Sequence, residues 1–66
     1  MSEVELVLRI VRDNPKCTSA RVGEVMDLSS GDAANYLNIL IKRKAIQREG
    51  KGGRKDPFRY YLPNSP

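Results

Sequence analysis

The stretch Ser29–Lys44, SSGDAANYLNILIKRK, has the periodicity of an amphipathic helix and decides the fold. The hydroxyl of Ser29 or Ser30 can cap its first free N–H groups. Residues at helical spacing give the predicted helix an apolar side, formed by Ala33, Leu37, Leu40 and Lys44 with Ile41 beside them. Such a side must pack against other elements of the chain.

The opposite side of this predicted helix is polar and carries only one charge. It is formed by Gly31, Asn35, Asn38 and Lys42. A carboxamide donates and accepts hydrogen bonds at once, which matches the edge that adenine presents in the major groove. An ordinary solvated helix face has a similar composition, so the flanking sequence must decide between the two interpretations.

The composition restricts the classes of function that this chain can serve. Sixty-six residues suffice for one small domain with a thin core, without room for a buried active site on a separate scaffold. One Cys and no His exclude an internal disulfide, a His-dependent triad and a zinc site. We therefore expect no enzyme, no cofactor and no metal.

Basic residues are concentrated in the C-terminal part of the chain. Residues 1–41 hold four basic and six acidic side chains, whereas residues 42–66 hold eight and two. A polyanionic partner would feel this one-sided field, although a basic surface without a partner is the alternative. The apolar runs are only a few residues long, so we expect no signal peptide and no membrane span. We expect the protein to be cytoplasmic and associated with the nucleoid.

A first helix is predicted near the N-terminus. Ser2 and Glu5 fit a capping box at its start, and Asn14-Pro15 ends it. One apolar stripe is formed by Val4, Val7, Leu8 and Val11. Leu6 and Ile10 lie on another side, so this helix is either sandwiched within the fold or offers a second seam to another subunit.

A second, shorter helix is predicted over Ser19–Met26, capped by Thr18. It follows a short extended segment at Lys16-Cys17, in which the cysteine packs as a small apolar residue. Gly23 lowers the stability of a helix by about 1 kcal/mol relative to Ala, so we expect that it is needed where this helix packs closely against the next one. Asp27-Leu28-Ser29 then form a tight turn, which completes a helix-turn-helix. The inner face of this helix is assigned to Val22, Val25 and Met26.

A β-hairpin with a basic tip is predicted to follow the third helix. Partial alternation over Ala45–Glu49 and aromatic alternation over Phe58–Leu62 indicate two strands. Between them, residues 50–57, GKGGRKDP, form a flexible basic loop that lacks the spacing and the trailing Ser or Thr of a P-loop. Residues 1–62 are thus predicted to form one domain, and residues 63–66 a short C-terminal tail.

In the order and spacing of these parts, the chain resembles a winged helix-turn-helix domain, in particular the ArsR and MarR types of bacterial and archaeal regulators. The resemblance covers Thr18 to Leu62 and rests on Thr18, Leu28-Ser29, Leu37-Asn38-Ile39-Leu40, Ala45-Ile46, Gly50 to Lys55 and Tyr60-Tyr61-Leu62. It implies an α+β fold, with three helices followed by a two-stranded β-hairpin wing.

The chain departs from the family pattern in three respects. Family members often have Gly where this chain has Asp27 in the turn and Lys44 before the first strand. The Cys and His clusters of metal-sensing members are absent from the sequence. The extra helices through which members dimerise are not visible either, so a homodimer would have to use the first helix, through Leu6 and Ile10, or an edge strand.

The residues and the resemblance together predict a sequence-specific double-stranded DNA-binding protein, a small transcriptional regulator whose recognition helix, residues 29–44, enters the major groove. The predicted base contacts are Ser30, Asn35 and Asn38, with Gly31 permitting close approach. The predicted backbone contacts are Thr18, Ser19 and Arg21 at the start of the second helix, and Lys42 and Arg43 at the end of the third. The wing, residues 50–57, is predicted to reach phosphates or the minor groove through Lys51, Arg54 and Lys55.

Two other classes of function remain open. A winged helix can instead be a protein-interaction module that docks on an acidic partner, and Ile39 is the apolar residue on the flank of the polar side that would serve this role. Single-stranded nucleic acid would need exposed aromatic rings, but at least two of Phe58, Tyr60 and Tyr61 are expected to fill the core. Tyr36, at the flank of the core, either packs or contacts a phosphate.

Overall fold

Three helices followed by a two-stranded antiparallel hairpin make up residues 2–63, which a computed structural model describes with every side chain except that of Ser30. The elements are α1 (Glu3–Asp13), α2 (Ser19–Met26), α3 (Ser30–Lys42), β1 (Gln47–Glu49) and β2 (Arg59–Tyr61). This α+β layout is that of a winged helix-turn-helix, as the sequence predicts. The predicted tail beyond Pro63 lies outside the described residues. Among the described helices, none combines the length and the apolar content that crossing a bilayer requires.

Each helix begins at a hydroxyl cap. A side-chain oxygen accepts a hydrogen bond from the backbone N–H three positions on: Ser2 from Glu5 (3.3 Å), Thr18 from Arg21 (3.3 Å) and Ser29 from Asp32 (3.2 Å). Each bond satisfies a donor that the helix itself leaves free. The predicted caps are confirmed, and of the two serines at the start of α3 the structure selects Ser29.

Both α2 and α3 are followed by a residue in the left-handed conformation. Asp27 has a φ of 57° and Lys44 a φ of 60°. At the end of α3, the N–H of Ala45 donates to the carbonyl of Leu40 at 3.0 Å, which is the long hydrogen bond of a Schellman motif. Glycine adopts positive φ without strain, so Asp27 and Lys44 carry a conformational cost at these two positions that a glycine would not. The prediction that the third helix runs to Lys44 is wrong, because this residue leaves the helical conformation.

The core lies between the helices and the hairpin. Its buried residues are Val7, Val11, Cys17, Val22, Ala33, Leu37, Leu40, Ile46 and Tyr60. The first helix is sandwiched only in part, since Ile10 packs against the core while Leu6 is 37% exposed. Of the two residues predicted to form a seam to another subunit, Leu6 is therefore the more accessible one.

The inner face of α2 differs from the prediction at Val25. This side chain is 52% exposed, whereas Val22 and Gly23 are buried. A Cβ atom on Gly23 would lie 2.8 Å from the carbonyl oxygen of Leu28, so the backbone of α2 comes close to the turn, as the glycine predicts. This approach directs the buried side of α2 toward Gly23 and leaves Val25 in solvent.

The second strand of the hairpin is bonded on both of its edges. On one edge β2 pairs with β1, which places Arg48 opposite Tyr60. On the other edge, the N–H of Tyr60 donates to the carbonyl of Cys17, and the N–H of Lys16 donates to the carbonyl of Tyr60, both at 2.8 Å. The hairpin is thereby tied to the segment between α1 and α2. Both strands are shorter than predicted, because Ala45, Ile46, Phe58 and Leu62 lie outside the paired segments.

Tyr36 links α3 to the start of α1. Its ring is half-buried against the core, and its hydroxyl donates a hydrogen bond to Oε2 of Glu3. That hydrogen bond, followed by partial burial and by the negative charges of Glu3 and Asp32, raises the pKa of Tyr36 above its ordinary value of 10.0. Of the two roles predicted for Tyr36, its position supports packing.

Replacing Gly23 by Ala is expected to destabilise the domain, although Ala is the better helix former. The added methyl group would overlap the carbonyl oxygen of Leu28, which costs about 1–3 kcal/mol and outweighs a gain of about 1 kcal/mol in helix propensity. Gly31→Ala is the matched control, because a Cβ there meets only the hydroxyl of Ser29 at 4.0 Å. Thermal unfolding should show a lower Tm for Gly23→Ala and an equal or higher Tm for Gly31→Ala. A higher Tm for both would contradict the close approach.

Tyr36 is expected to make the stability of the domain fall at alkaline pH. Because its pKa is raised in the folded chain, the folded state holds the phenolic proton more tightly, and the resulting stabilisation is complete below pH 10.0 and lost as the pH rises through the folded-state pKa. Denaturant unfolding near neutral pH and above pH 10.0 should therefore show a smaller loss of stability in Tyr36→Phe than in the wild type. Tyr61→Phe, which removes a phenol outside the Glu3 contact, is the control. An equal loss in Tyr36→Phe and the wild type would refute the linkage.

Candidate nucleic-acid interface

The polar side of α3 faces solvent. Four of its predicted members are exposed: Gly31, Asn35, Asn38 and Lys42. The opposite side is buried at Ala33, Leu37 and Leu40. The predicted orientation of the helix is therefore confirmed. The side chain of Ser30, another predicted base contact, lies outside the described part of the structure.

The two asparagines on this side have different surroundings. Oδ1 of Asn38 accepts a hydrogen bond from Nη1 of Arg48 at 3.4 Å, while the asparagine remains exposed. Among the side chains of residues 2–29 and 31–63, none forms a hydrogen bond with the side chain of Asn35. Asn35 thus offers its acceptor and both donors to a ligand, whereas Asn38 shares its acceptor with the hairpin.

Arg48 connects the hairpin to α3 and is absent from the predicted contacts. It lies opposite Tyr60, on the hairpin face that packs against the helices. Its guanidinium carbon is 4.1 Å from the centroid of the Phe58 ring, and this ring meets that of Tyr60 edge to face at 6.4 Å. The cation–π contact contributes about 0.5–1 kcal/mol at an exposed position and holds the guanidinium beside α3. Strand alternation indicates the face on which Arg48 lies, but no sequence signal identifies Asn38 as its partner.

Asp56 closes the wing loop. Its carboxylate accepts hydrogen bonds from the N–H of Lys51 and from Nη1 of Arg59, both at 3.2 Å. Its carbonyl accepts another from the N–H of Gly52 at 2.9 Å. Gly52 has a φ of 82°, and a Cβ there would overlap the ring of Phe58 at 2.5 Å. The loop therefore lies against Phe58, and Asp56 bonds its two ends; the flexibility predicted for it stays a prediction.

The two acidic residues of the hairpin form ion pairs, but their partners are not among the cations predicted to contact DNA. Oε1 of Glu49 lies 3.7 Å from Nζ of Lys16 and 3.6 Å from Nε of Arg59. Oδ1 of Asp56 lies 3.2 Å from Nη1 of the same arginine. Within residues 2–63, seven exposed cations near the end of α3 and in the hairpin have no ion-pair partner: Lys42, Arg43, Lys44, Arg48, Lys51, Arg54 and Lys55. Nor does any cluster of three Cys, Asp or Glu side chains that could hold a metal ion occur among the described residues.

The three predicted backbone contacts at the start of α2 lie together. Thr18 and Ser19 are half-buried, and the hydroxyl of Thr18 already accepts the N–H of Arg21. The guanidinium of Arg21 lies 3.3 Å from the carboxylate of Glu24, and both are exposed. An exposed pair of this kind contributes about 0–1 kcal/mol, so a phosphate can compete for the arginine.

The aromatic residues of the hairpin do not form an open stacking platform. Tyr60 is buried and Phe58 packs against the core, which confirms that at least two of the three rings serve the interior. Tyr61 is half-buried. Ile39, beside the polar side of α3, is 37% exposed.

Comparisons of this chain with protein-family models, with curated proteins and with solved structures found no match. Its fold class therefore rests on the arrangement of its own elements. The resemblance to ArsR and MarR regulators stays a prediction.

Asp56→Ala is expected to loosen the wing without unfolding the domain. The variant loses the hydrogen bond from the N–H of Lys51 and the ion pair with Arg59, contacts that contribute about 1 kcal/mol each. Amide hydrogen exchange should accelerate at Lys51 and stay slow at Leu37 in the core. Asp13→Ala, which removes an exposed carboxylate from α1, should change neither rate. Unaltered exchange at Lys51 in Asp56→Ala would show that the carboxylate does not brace the loop.

Proposed function

We propose that this chain is a sequence-specific double-stranded DNA-binding protein that regulates transcription, a winged helix-turn-helix of the ArsR and MarR type. One observation carries the proposal. The exposed side of α3 bears two carboxamides, and the exposed cations at its C-terminal end and in the hairpin have no acidic partner within residues 2–63. The major groove of B-DNA admits an α-helix, which brings such a side to the base edges. The chain acts by binding and not by catalysis.

Base recognition is assigned to the first three turns of α3. Asn35 is exposed and can pair with N6 and N7 of adenine through its free carboxamide. Gly31 presents no side chain and has open space in front of it, so the backbone of the first turn can lie close to a base edge. Ser30 and Asn38 complete this set.

Attraction to the phosphates is assigned to residues on three elements. Lys42 and Arg43 stand at the end of α3, and the start of α2 adds Thr18, Ser19 and Arg21 at the positive end of the helix dipole. The wing adds Lys51, Arg54 and Lys55 on a loop whose shape is set by Asp56. Each cation that neutralises a phosphate releases counterions, so binding weakens as salt increases.

A docking module for an acidic protein partner is the competing function. The exposure of Ile39 beside the polar side of α3 favours it, because apolar anchors carry much of the binding energy of protein interfaces. Ile39→Ser separates the two functions. It removes the anchor and leaves the carboxamides of Asn35 and Asn38 in place, so DNA affinity should persist while affinity for a protein partner falls.

Asn35→Ala is expected to cost about 1–3 kcal/mol of binding free energy on a preferred duplex and little on a scrambled one. The preferred duplex is first obtained by selection from a randomised pool, and affinities are then measured by fluorescence anisotropy. Gln47→Ala is the matched control, because it removes an exposed carboxamide from β1, on the face opposite Arg48. Equal losses on both duplexes for Asn35→Ala would defeat its assignment as a base reader.

Lys51→Ala is expected to weaken binding to both duplexes alike and to lower the slope of log K against log salt by about one unit. Arg9→Ala removes the same charge from α1, to which no DNA contact is assigned, and should leave the slope unchanged. Titrations at several salt concentrations measure both slopes. If the wild-type chain binds neither duplex at low salt, the proposed function is wrong.

A further inference from the structure

The contact between Asn38 and Arg48 limits what this part of α3 can recognise. Oδ1 of Asn38 accepts a hydrogen bond from Nη1 of Arg48 at 3.4 Å. An arginine side chain carries donors only, so the carboxamide must turn its oxygen toward Arg48. The NH₂ group, at the other end of the same planar carboxamide, is thereby directed away from Arg48, and Asn38 is exposed.

Arg48 is itself held in position. Its guanidinium lies over the ring of Phe58 at 4.1 Å, and its backbone pairs with Tyr60 in the hairpin. Within residues 2–63, no carboxylate forms an ion pair with it. The guanidinium has five N–H donors, of which one donates to Asn38, and Arg48 is exposed. Arg48 and Asn38 together therefore present N–H donors side by side.

The major-groove edges of the bases distinguish a donor-only surface from a free carboxamide. Guanine offers two acceptors, N7 and O6, whereas adenine offers one acceptor, N7, and one donor, the N6 amino group. A surface that presents only N–H donors is complementary to both acceptors of guanine. At adenine one of these donors would face the N6 amino group, which is also a donor. A free carboxamide pairs with adenine, and Asn35 still has one.

We propose, building on the proposed DNA-binding function, that Asn38 and Arg48 form one reading unit that turns N–H donors toward the base and selects guanine, while Asn35 selects adenine. Within the unit Asn38 contacts the base, and Arg48 both adds donors and acts as a positioning residue that fixes the orientation of the carboxamide. Guanine is preferred over adenine at this position by between about 5-fold and 150-fold.

Arg48→Met tests the unit. Methionine keeps an unbranched apolar chain over Phe58 but has no N–H donor. The wild type, Arg48→Met and Asn38→Ala each select sequences from a randomised duplex pool, and the position at which Asn38→Ala loses its preference is the one that Asn38 reads. The wild type should select guanine there. Arg48→Met should select adenine there, because the carboxamide is then free to turn its oxygen toward the base, and should keep the preference at the position of Asn35.

Arg43→Met is the matched control. It removes an exposed cation that lies at the end of α3 and has no ion-pair partner within residues 2–63. This variant should weaken binding to all sequences without changing the selected bases. Circular dichroism and thermal unfolding show whether Arg48→Met folds. A test that needs no variant replaces the selected guanine by 7-deazaguanine, which lacks the N7 acceptor and should weaken wild-type binding at least about 5-fold.

Adenine at the Asn38 position in the wild type, or guanine retained with equal strength in a folded Arg48→Met, would overturn the reading unit while leaving the DNA-binding function intact. The same holds if 7-deazaguanine binds as well as guanine. Selection of no sequence by the wild type would overturn both.

Discussion

Burial of Leu37 fixes the rotation of α3, and the exposed surface of the domain depends on it. Leu37 is fully buried, with Ala33 and Leu40 on the same side of the helix. Because this side is locked in the core, Asn35 and Asn38 on the opposite side must point into solvent. Loss of a buried Leu side chain costs about 2–5 kcal/mol, a large share of the stability of a small domain. The polar side of α3 is therefore held in place by packing behind it.

The two faces of the hairpin contribute to the candidate interface in different ways. On the inner face, Phe58 and Tyr60 pack toward the core and Arg48 reaches across to α3. On the outer face, Glu49 pairs with Arg59, which Asp56 also contacts. The negative charges of the hairpin are thus neutralised locally, and its excess positive charge remains on the wing and beside α3. The placement of these pairs, more than the net charge of +4, determines the field that a polyanion meets.

Local signals in the sequence suffice for the parts of the fold that depend on local chemistry. The range Ser19–Met26 is predicted correctly because both ends of this helix are set by neighbouring residues: Thr18 caps its start, and the turn at Asp27 follows its last residue. The exposure of Val25 is not predictable in this way, since it depends on which side of α2 meets the turn. The pairing of Asn38 with Arg48 joins residues ten positions apart on two elements. Periodicity assigns each of them to a face but does not show that the two faces meet.

The backbone bridge at Cys17 makes the only thiol of the chain a reporter of hairpin attachment. The side chain is buried in the core, and burial raises the pKa of the Cys17 thiol, so little reactive thiolate is available while the bridge is closed. Separation of β2 from the connection between α1 and α2 breaks this bridge and increases the access of a maleimide or disulfide reagent to the sulfur. The labelling rate therefore measures the free energy of that local opening without any engineered probe. Any ligand that clamps the hairpin onto the helices slows the labelling in proportion.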